Sequence, residues 1–129
     1  MPPDAPLPTD AELAILRVLW TDGPATVRTV QDRLDTGQGY TTVLKHLQLM
    51  LEKGLVTRDE SGRAHVYAPA VEEVATQRHL VRDLLDRAFG GSARQLVMRA
   101  LSAEDVSEDE LDKIRDLLDQ MEDDTDDDA

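Results

Sequence analysis

The segment from residue 39 to residue 53, GYTTVLKHLQLMLEK, carries polar side chains that could bind a polyanion. At helical spacing one face is an apolar stripe, formed by Val43, Leu44, Leu47, Met50 and Leu51. The other face carries hydroxyl, ammonium, imidazole and amide groups, from Tyr40, Thr41, Thr42, Lys45, His46 and Gln48. Exposed helical faces usually mix acids with bases, but Glu52 is the first acid within this segment. These groups can donate to phosphates and base edges, although a solvated surface helix would also show them.

The sequence gives little basis for catalytic or metal-binding chemistry. The three histidines, His46, His65 and His79, are isolated from one another, whereas a zinc site needs clustered ligands. The absence of cysteine removes disulfides, thiolate metal ligands and thiol nucleophiles. No glycine-rich phosphate loop or nucleophile elbow is present. We therefore predict that the protein is not an enzyme and has no catalytic residues, metal site or cofactor.

The charge is unevenly distributed along the chain. The net charge of −13 argues against nucleic-acid binding at first sight. Residues 1–70, however, carry seven Lys and Arg against nine acids, whereas residues 71–129 carry seven against eighteen. Residues 28–65 carry six basic and five acidic residues. Because charges are screened over about 10 Å in salt, the middle of the chain can still attract a polyanion.

The composition also bounds the class of protein. No apolar run approaches the ~20 residues that a membrane span needs. The acidic, proline-rich N-terminus differs from a signal peptide. We therefore expect a cytoplasmic protein with no membrane partner. Aromatic residues make up only 3% of the chain, so an aliphatic core is expected, which suits helices.

Three short helices are predicted before residue 55. Thr9 and Glu12 have the spacing of a capping box, which predicts a helix that runs to about Thr21. Thr26 can cap a second helix that ends in residues 36–39. The third helix is the opening segment and ends at Gly54. Short helices with tight glycine-containing joints indicate a helix-turn-helix within a tri-helical core.

The pattern changes to a period of two after Gly54. Residues 55–59 and 63–68 alternate around a glycine-containing turn, which predicts a β-hairpin that Pro69 ends. Val56 and Val66 are expected to face inward. A helix-turn-helix followed at once by a hairpin is a winged helix, although fold alone does not exclude a domain that binds nothing.

The winged helix supplies the candidate DNA-binding residues. The hairpin leaves Arg58, Arg63 and His65 available to solvent or phosphate. The full predicted set for duplex DNA is Thr26, Arg28, Tyr40, Thr41, Thr42, Lys45, His46, Arg58 and Arg63. The alternative is an acidic dimeric interaction module whose winged helix docks on a protein partner. A steep fall of affinity with salt on duplex DNA would distinguish the two.

The C-terminal half is predicted to be helical. A long helix from Val71 to Phe89 ends at two glycines, Ser92 caps the next helix, and Ser107 opens a third with a capping box. A segment of fewer than 60 residues is too small to bury these apolar stripes well by itself, so we expect the helices to pair in a homodimer. The alternative is that the helices fold back on the winged helix of the same chain. The predicted dimerisation residues are Leu80, Leu84, Phe89, Leu111, Ile114, Leu118 and Met121.

The predicted fold is mostly α with a small β-hairpin, a winged helix-turn-helix domain followed by a helical dimerisation domain. The expected boundaries are a disordered arm over residues 1–8, the winged helix over 9–70 and the dimerisation domain over 71–121. Residues 122–129 are expected to form a disordered acidic tail.

Several blocks together resemble one known family. They are residues 13–20 (LAILRVLW), 40–43 (YTTV), 51–56 (LEKGLV), Tyr67 and residues 89–92 (FGGS). In order and spacing they are similar to the penicillinase-repressor (BlaI/MecI/CopY) family, over about residues 7–121. The resemblance implies a dimeric winged-helix repressor on palindromic operators ahead of β-lactam-resistance, copper-homeostasis or other stress-response genes. It also implies that Thr41 and Thr42 begin the base-reading part of the recognition helix.

Two departures limit what the resemblance implies. The copper-responsive branch carries a C-terminal cysteine cluster, and this chain has no cysteine. The β-lactam branch is inactivated when a regulatory protease cuts an Asn-Phe bond in a C-terminal helix. The matching position here is Arg99-Ala100, so a regulatory protease is a candidate partner but cleavage at this bond is not predicted.

Overall fold

A computed structural model describes residues 6–103 and 105–128. The elements are α1 (Asp10–Asp22), α2 (Val27–Leu34), α3 (Tyr40–Lys53), β1 (Val56–Asp59), β2 (Val66–Pro69), α4 (Glu73–Ala88), α5 (Ala93–Ala103) and α6 (Glu108–Asp128). The chain divides into two compact units, and the division falls between Asp83 and Leu84, inside α4. The predicted fold class, mostly helical with one antiparallel hairpin, is confirmed.

Local capping determines where the first helix begins and ends. The Thr9 hydroxyl accepts from Glu12 N–H at 3.2 Å, and the Glu12 carboxylate accepts from Thr9 N–H at 2.9 Å, so the predicted capping box is confirmed. At the other end Gly23 adopts a φ of +89°, which disfavours residues with a Cβ. Its N–H donates to the Leu19 carbonyl and closes the helix.

The next two helices also follow their capping residues. Thr26 caps α2 by accepting from Thr29 N–H at 3.3 Å, as predicted. Helix α2 ends at Leu34, before the predicted closing residues 36–39, because Asp35 takes the left-handed conformation with a φ of +52°. Helix α3 begins at Tyr40, one residue after the start of the predicted segment, because Gly39 is its N-cap. It ends as predicted, where Gly54 becomes left-handed and donates to the carbonyls of the last turn.

The hydrophobic core lies within the first unit. Its members are Ile15, Leu16, Leu19, Ala25, Val27, Val30, Val43, Leu47, Met50, Leu55, Val56, Tyr67 and Val71. Val43, Leu47 and Met50 are fully buried, which confirms the apolar stripe of α3, while Leu44 and Leu51 are half-buried at its edges. Each fully buried large side chain contributes about 1.5–3 kcal/mol relative to exposure, so burial of this stripe fixes which face of α3 points outward.

The hairpin differs from the prediction in one respect. Strands β1 and β2 are antiparallel, and the register places Arg58 opposite Tyr67 and Asp59 opposite Val66. Opposed residues share a face, so Tyr67 and Val56 face the core while Val66 lies on the other face and is half-buried. The prediction that Val66 faces inward was wrong, because a shift of one residue exchanges the faces and the aromatic ring takes the core position.

The hairpin is joined to the helix-turn-helix through Tyr67 and ends at Pro69. The Tyr67 N–H donates to the Ala25 carbonyl at 2.8 Å, and the Ala25 N–H donates to the Tyr67 carbonyl at 2.9 Å. These two hydrogen bonds hold β2 beside the residues that lead into α2. Pro69 is the last residue of β2, as its missing N–H predicts.

The first compact unit continues beyond residue 70, where the sequence analysis ended the winged helix. Val71 was expected within the long helix, but α4 begins at Glu73 and Val71 is buried in the core. The Trp20 indole N–H donates to the Val71 carbonyl at 3.0 Å, and Thr76 is also fully buried. The start of α4 therefore packs as part of the winged-helix unit.

The second unit consists of helices without a core of their own. The predicted cap of α5 is confirmed, since Ser92 accepts from Gln95 N–H at 3.2 Å. Of the capping box predicted at the start of α6, the structure shows the half in which Ser107 accepts from Glu110 N–H at 3.1 Å. Between residues 84 and 124, none of the side chains that the structure describes is buried. Apolar helix faces normally bury themselves against another element, so these helices leave apolar surface that the second unit does not cover by itself.

Disorder was predicted at both ends of the chain, and the structure describes the two ends to different extents. The structure has helix α6 running to Asp128, so residues 122–128 are helical rather than the expected disordered tail. No glycine or proline stands between Ser107 and Asp128 to end that helix. Of the predicted N-terminal arm, residues 1–5 lie outside the described residues, as does residue 129. Residues 6–8 form neither helix nor strand, and Pro8 is buried. No helix in the described ranges is long and apolar enough to cross a membrane.

Candidate nucleic-acid interface

Helix α3 presents the polar face that the sequence predicted. Thr41, Thr42, Lys45 and Gln48 are exposed, and Tyr40 is 46% exposed. His46 is half-buried. Because burial of the apolar stripe fixes the rotation of the helix, these donors face away from the core.

The N-terminus of α3 is open to an anion. Gly39 occupies the cap position and has no side chain to accept from the first-turn N–H groups, and the first turn contains no acid. Helix α1 is different, because Thr9 and Glu12 cap its first turn. Uncapped N–H groups and the helix dipole together favour a phosphate or another anion next to Tyr40 and Thr41.

A groove of about 640 Å³ lies between the helix-turn-helix and the hairpin. Its lining is formed by Thr26, Val27, Arg28, Tyr40, Leu44, Gln48, Arg58, Arg63, Ala64, His65 and Tyr67. Three of these residues are arginines and none is acidic. The groove therefore joins the exposed face of α3 to the hairpin through cationic side chains.

The basic candidates differ in their partners. Arg28, Lys45 and Arg63 are exposed, and within the described part of the chain their side chains make no hydrogen bond or ion pair. Arg58 lies on the core-facing side of β1, opposite Tyr67, and only 29% of its side chain is exposed. A hydrogen bond to the Tyr67 side chain, assisted by the nearby Glu60 carboxylate, raises the pKa of Arg58. Arg58 is thus held in place, whereas the sequence analysis had it simply available to phosphate.

Thr26 has its hydroxyl committed to the helix it caps. It accepts from Thr29 N–H, and its hydroxyl donates to the Thr29 hydroxyl at 3.2 Å. The side chain lines the groove but is half-buried. It therefore positions α2 beside the groove.

A buried ion pair that the sequence analysis did not find holds the C-terminal end of α3. Lys53 Nζ lies 2.9 and 3.0 Å from the two carboxylate oxygens of Glu12, which is almost fully buried. Burial raises the pKa of Glu12, but hydrogen bonds from Lys53 and from Thr9 N–H outweigh burial, so that pKa lies below its usual value. The pair fixes α3 against α1. Its partners are 41 positions apart, so no local sequence signal reveals it.

Histidines and acids do not gather into a metal site in the residues that the structure describes: no group of three or more potential ligands comes together. His65 is exposed in the groove lining and His46 is half-buried on α3. The arrangement instead offers hydrogen-bond donors and fixed positive charge along one surface.

Comparison with known proteins identifies the family. The family model described as Penicillinase repressor matches residues 8–120. The chain belongs to the penicillinase repressor family. This confirms the resemblance inferred from the sequence blocks. Because the family consists of transcriptional repressors, it also confirms the prediction that the protein is not an enzyme.

Curated relatives in the penicillinase repressor family cover most of this chain. The transcriptional regulator BlaI of Mycobacterium tuberculosis (strain ATCC 25618 / H37Rv) is 34% identical over 116 residues, 88% of this chain and 83% of its own length. The methicillin resistance regulatory protein MecI of Staphylococcus aureus (strain N315) is 20% identical over 112 residues, 85% of this chain and 91% of its own. The solution structure of the DNA binding domain of the repressor BlaI is 26% identical, has a TM-score of 0.49, and matches 54% of this chain and 88% of its own.

The predicted dimerisation residues are all at least partly exposed to solvent in this member of the penicillinase repressor family. Leu84, Leu118 and Met121 are exposed. The others are half-buried, namely Leu80, Phe89, Leu111 and Ile114. The prediction omitted further exposed apolar side chains, namely Val81, Val97, Met98 and Leu117. The α5 residues among them could have been selected from the apolar run Leu96-Val97-Met98.

Proposed function

We propose that this chain is a dimeric transcriptional repressor that binds palindromic duplex-DNA operators through α3 and the adjoining groove. The observation that carries the proposal is that the exposed donors of α3 adjoin a groove lined by three arginines and no acid. In an otherwise acidic chain, such a surface suits a polyanion. Membership in a family of repressors supports the same function.

Helix α3 is proposed to read base edges. Thr41 and Thr42 are exposed in its first turn, where recognition helices meet the major groove. Hydroxyl groups can donate to or accept from base edges, and the threonine methyl can contact the thymine methyl. The uncapped N-terminus of the helix would hold a neighbouring phosphate, which sets the register of the helix on the duplex.

The flanking basic residues are proposed to bind the phosphate backbone. Arg28 approaches the groove from α2 and Arg63 from the hairpin, while Lys45 extends from α3. All three lack intramolecular partners among the described residues, so none must first break an ion pair to meet a phosphate. Each such contact releases counterions and makes binding weaken with salt.

The second unit is proposed to pair with a second copy of the chain. Between residues 84 and 124, none of the side chains that the structure describes is buried, and α5 and α6 expose several large apolar side chains. Burying these groups against the same surfaces of a partner would give a two-fold dimer. Two reading heads would then meet the two half-sites of a palindrome.

The target genes are proposed from the relatives alone. MecI carries methicillin resistance in its name, and BlaI is named as a transcriptional regulator. We propose operators ahead of β-lactam-resistance-type or other stress-response genes. The test is to capture genomic fragments on the purified protein, sequence them, and look for an inverted repeat that the fragments share.

Salt dependence separates DNA binding from the alternative of docking on a protein. We expect the affinity for the captured operator to fall steeply between 50 and 200 mM salt, since each neutralised phosphate contributes a slope of about −0.9. If the fragments share no repeat and the affinity for duplex DNA is weak and nearly independent of salt, the docking alternative gains and the proposal fails.

A regulatory protease is a further proposed partner, and we expect it not to use the bond between Arg99 and Ala100. Both residues lie inside α5, where a protease reaches the backbone only after local opening. Mass measurement of the protein recovered from induced cells tests this. A fragment that ends at Arg99 would contradict the expectation.

A further inference from the structure

Of the three arginines that line the groove, Arg58 differs from the others in its intramolecular partners. Its guanidinium Nη2 forms an ion pair with Glu60 Oε1, and Arg58 stands opposite Tyr67 in the hairpin register. Arg28 and Arg63 make no side-chain ion pair with the described residues. An arriving phosphate therefore finds two unpaired arginines and one that a carboxylate already occupies.

The hairpin has two neighbouring acids, and they have different roles. The Asp59 carboxylate accepts from Ser61 N–H at 2.9 Å and supports the turn. Glu60 directly follows the last residue of β1, two positions beyond Arg58, and its carboxylate forms the ion pair with the Arg58 guanidinium. The side chain of Glu60 is 55% exposed, which leaves its carboxylate free to move away from Arg58.

The backbone around this pair is fixed independently of Glu60. Two hydrogen bonds join Tyr67 to Ala25, and the buried Tyr67 ring packs in the core. Arg58 keeps its position opposite Tyr67 through strand pairing rather than through its ion pair. Replacing Glu60 should therefore change the charge available to a ligand without moving the strand.

We propose that Glu60 is an affinity-setting residue that competes with DNA phosphates for Arg58 and so weakens binding to every duplex sequence. The inference rests on the proposed function, because it presumes that the groove receives the DNA backbone. Any phosphate that contacts Arg58 must displace the carboxylate or share the guanidinium with it. The competition is independent of base sequence, since phosphates carry no sequence information.

The first test measures binding of the full-length protein and its variants to a random-sequence duplex over a range of salt concentrations. Glu60→Gln should bind about fivefold more tightly than the parent, with a salt slope steeper by about 0.9, because Arg58 becomes free to neutralise one phosphate. Asp59→Asn is the matched control. It removes the same charge one residue away and keeps the oxygen that accepts from Ser61, and it should change affinity less than about twofold.

Two further variants separate competition from the general field of a carboxylate. In an Arg58→Gln background, adding Glu60→Gln should have no more effect than Asp59→Asn has in the parent. Glu60→Asp keeps the charge but shortens its reach to Arg58, so it should give part of the gain. Circular dichroism and thermal unfolding of each variant confirm that the fold is unchanged.

The outcomes distinguish this inference from the function on which it rests. A parent that binds duplex DNA with a steep salt slope, together with a Glu60→Gln variant that binds no more tightly, would overturn the role of Glu60 and leave the proposed function standing. A gain that persists without Arg58, or that Asp59→Asn reproduces, would overturn it equally. A parent that does not bind duplex DNA would overturn both.

Discussion

Replacing Lys53 with methionine should destabilise the winged-helix unit by about 2 kcal/mol at neutral pH. The Glu12 side chain is 2% exposed, and its two oxygens lie 2.9 and 3.0 Å from Lys53 Nζ. Breaking a fully buried pair typically costs about 3–5 kcal/mol, because the remaining charge is left without its partner. Lys53 is 32% exposed, so solvent reduces this cost. Thr9 N–H still donates to Glu12, which reduces it further.

The matched control is Arg33→Met, which removes a cation from an exposed pair in the same compact unit. Arg33 lies 4.0 Å from Asp22, and its side chain is 61% exposed. Surface pairs of this kind contribute about 0–1 kcal/mol, so the variant should remain close to the parent in stability. Both substitutions replace a cation with the same apolar side chain, which isolates the effect of burying the pair.

The predicted loss should depend on pH. Glu12 has a lowered pKa in the folded parent, so its contribution to stability is present above the unfolded value of about 4.5 and is lost as pH falls through the lower folded value. In Lys53→Met the carboxylate keeps the cost of burial without the lysine, which raises its pKa relative to the parent. The difference between the two proteins should therefore be full at pH 7 and shrink as pH falls through the raised pKa of the variant towards the lower pKa of the parent.

Trp20 gives the assay, since it is the sole tryptophan of the sequence and its indole donates to Val71 within the winged-helix unit. Urea unfolding followed by its fluorescence, at one protein concentration and at several pH values, measures the free energy of unfolding. A Lys53→Met variant as stable as Arg33→Met would refute the reasoning. If the loss of stability is the same at pH 7 and at acid pH, it does not come from the charge of Glu12. It would then come from the effect of the substitution on helix α3.

Three further predictions concern DNA binding and assembly. Thr42→Ala should lose about 1–2 kcal/mol of preference for operator over random duplex, and equal losses on both would show that Thr42 only positions the backbone. Arg63→Ala should weaken binding to all sequences alike and lower the salt slope by about one ion; an unchanged slope removes Arg63 from the interface. Leu118→Asp should be monomeric at micromolar concentration by sedimentation and lose tight operator binding, because it buries an unpaired carboxylate; a variant that stays dimeric contradicts the proposed interface.

The starts of α1, α2, α5 and α6 were predictable because the side chains that cap them are close in sequence to the N–H groups they accept from. Thr9 and Glu12 cap each other across one turn, and Thr26, Ser92 and Ser107 accept from an N–H three residues later. In each cap, the accepting side chain and the donating N–H are within four positions of each other in the sequence. The apolar stripe of α3 was predictable for the same reason, since its period is a property of one segment.

Contacts between distant residues were not predictable in this way. Lys53 could pair with any of several acids, and only the packing of α3 on α1 selects Glu12. The Trp20–Val71 hydrogen bond spans 51 positions and extends the compact unit into α4. The hairpin period allowed either Val66 or Tyr67 to face inward, and bonding of Tyr67 to Ala25 accompanies the register that buries the tyrosine.

The positions of the candidate DNA-binding residues were predictable only in part. That Thr41, Thr42 and Lys45 would be exposed followed from the helical period, since the stripe opposite them had to be buried. That Arg58 would turn towards the core side of its strand did not follow, because the hairpin register was unknown. The base-reading and phosphate-binding roles of all these residues stay predictions.

The pairing of charges explains how an acidic chain can present a cationic surface. In the winged-helix unit Glu12 is paired with Lys53, Asp22 lies near Arg33, Asp59 accepts from the turn and Glu60 holds Arg58. The cations without such partners in the described chain include Arg28, Lys45 and Arg63. Two of these line the groove and the third is on the exposed face of α3. Since the screening length is about 10 Å in salt, a phosphate beside the groove responds to these nearby cations more than to the net charge of −13.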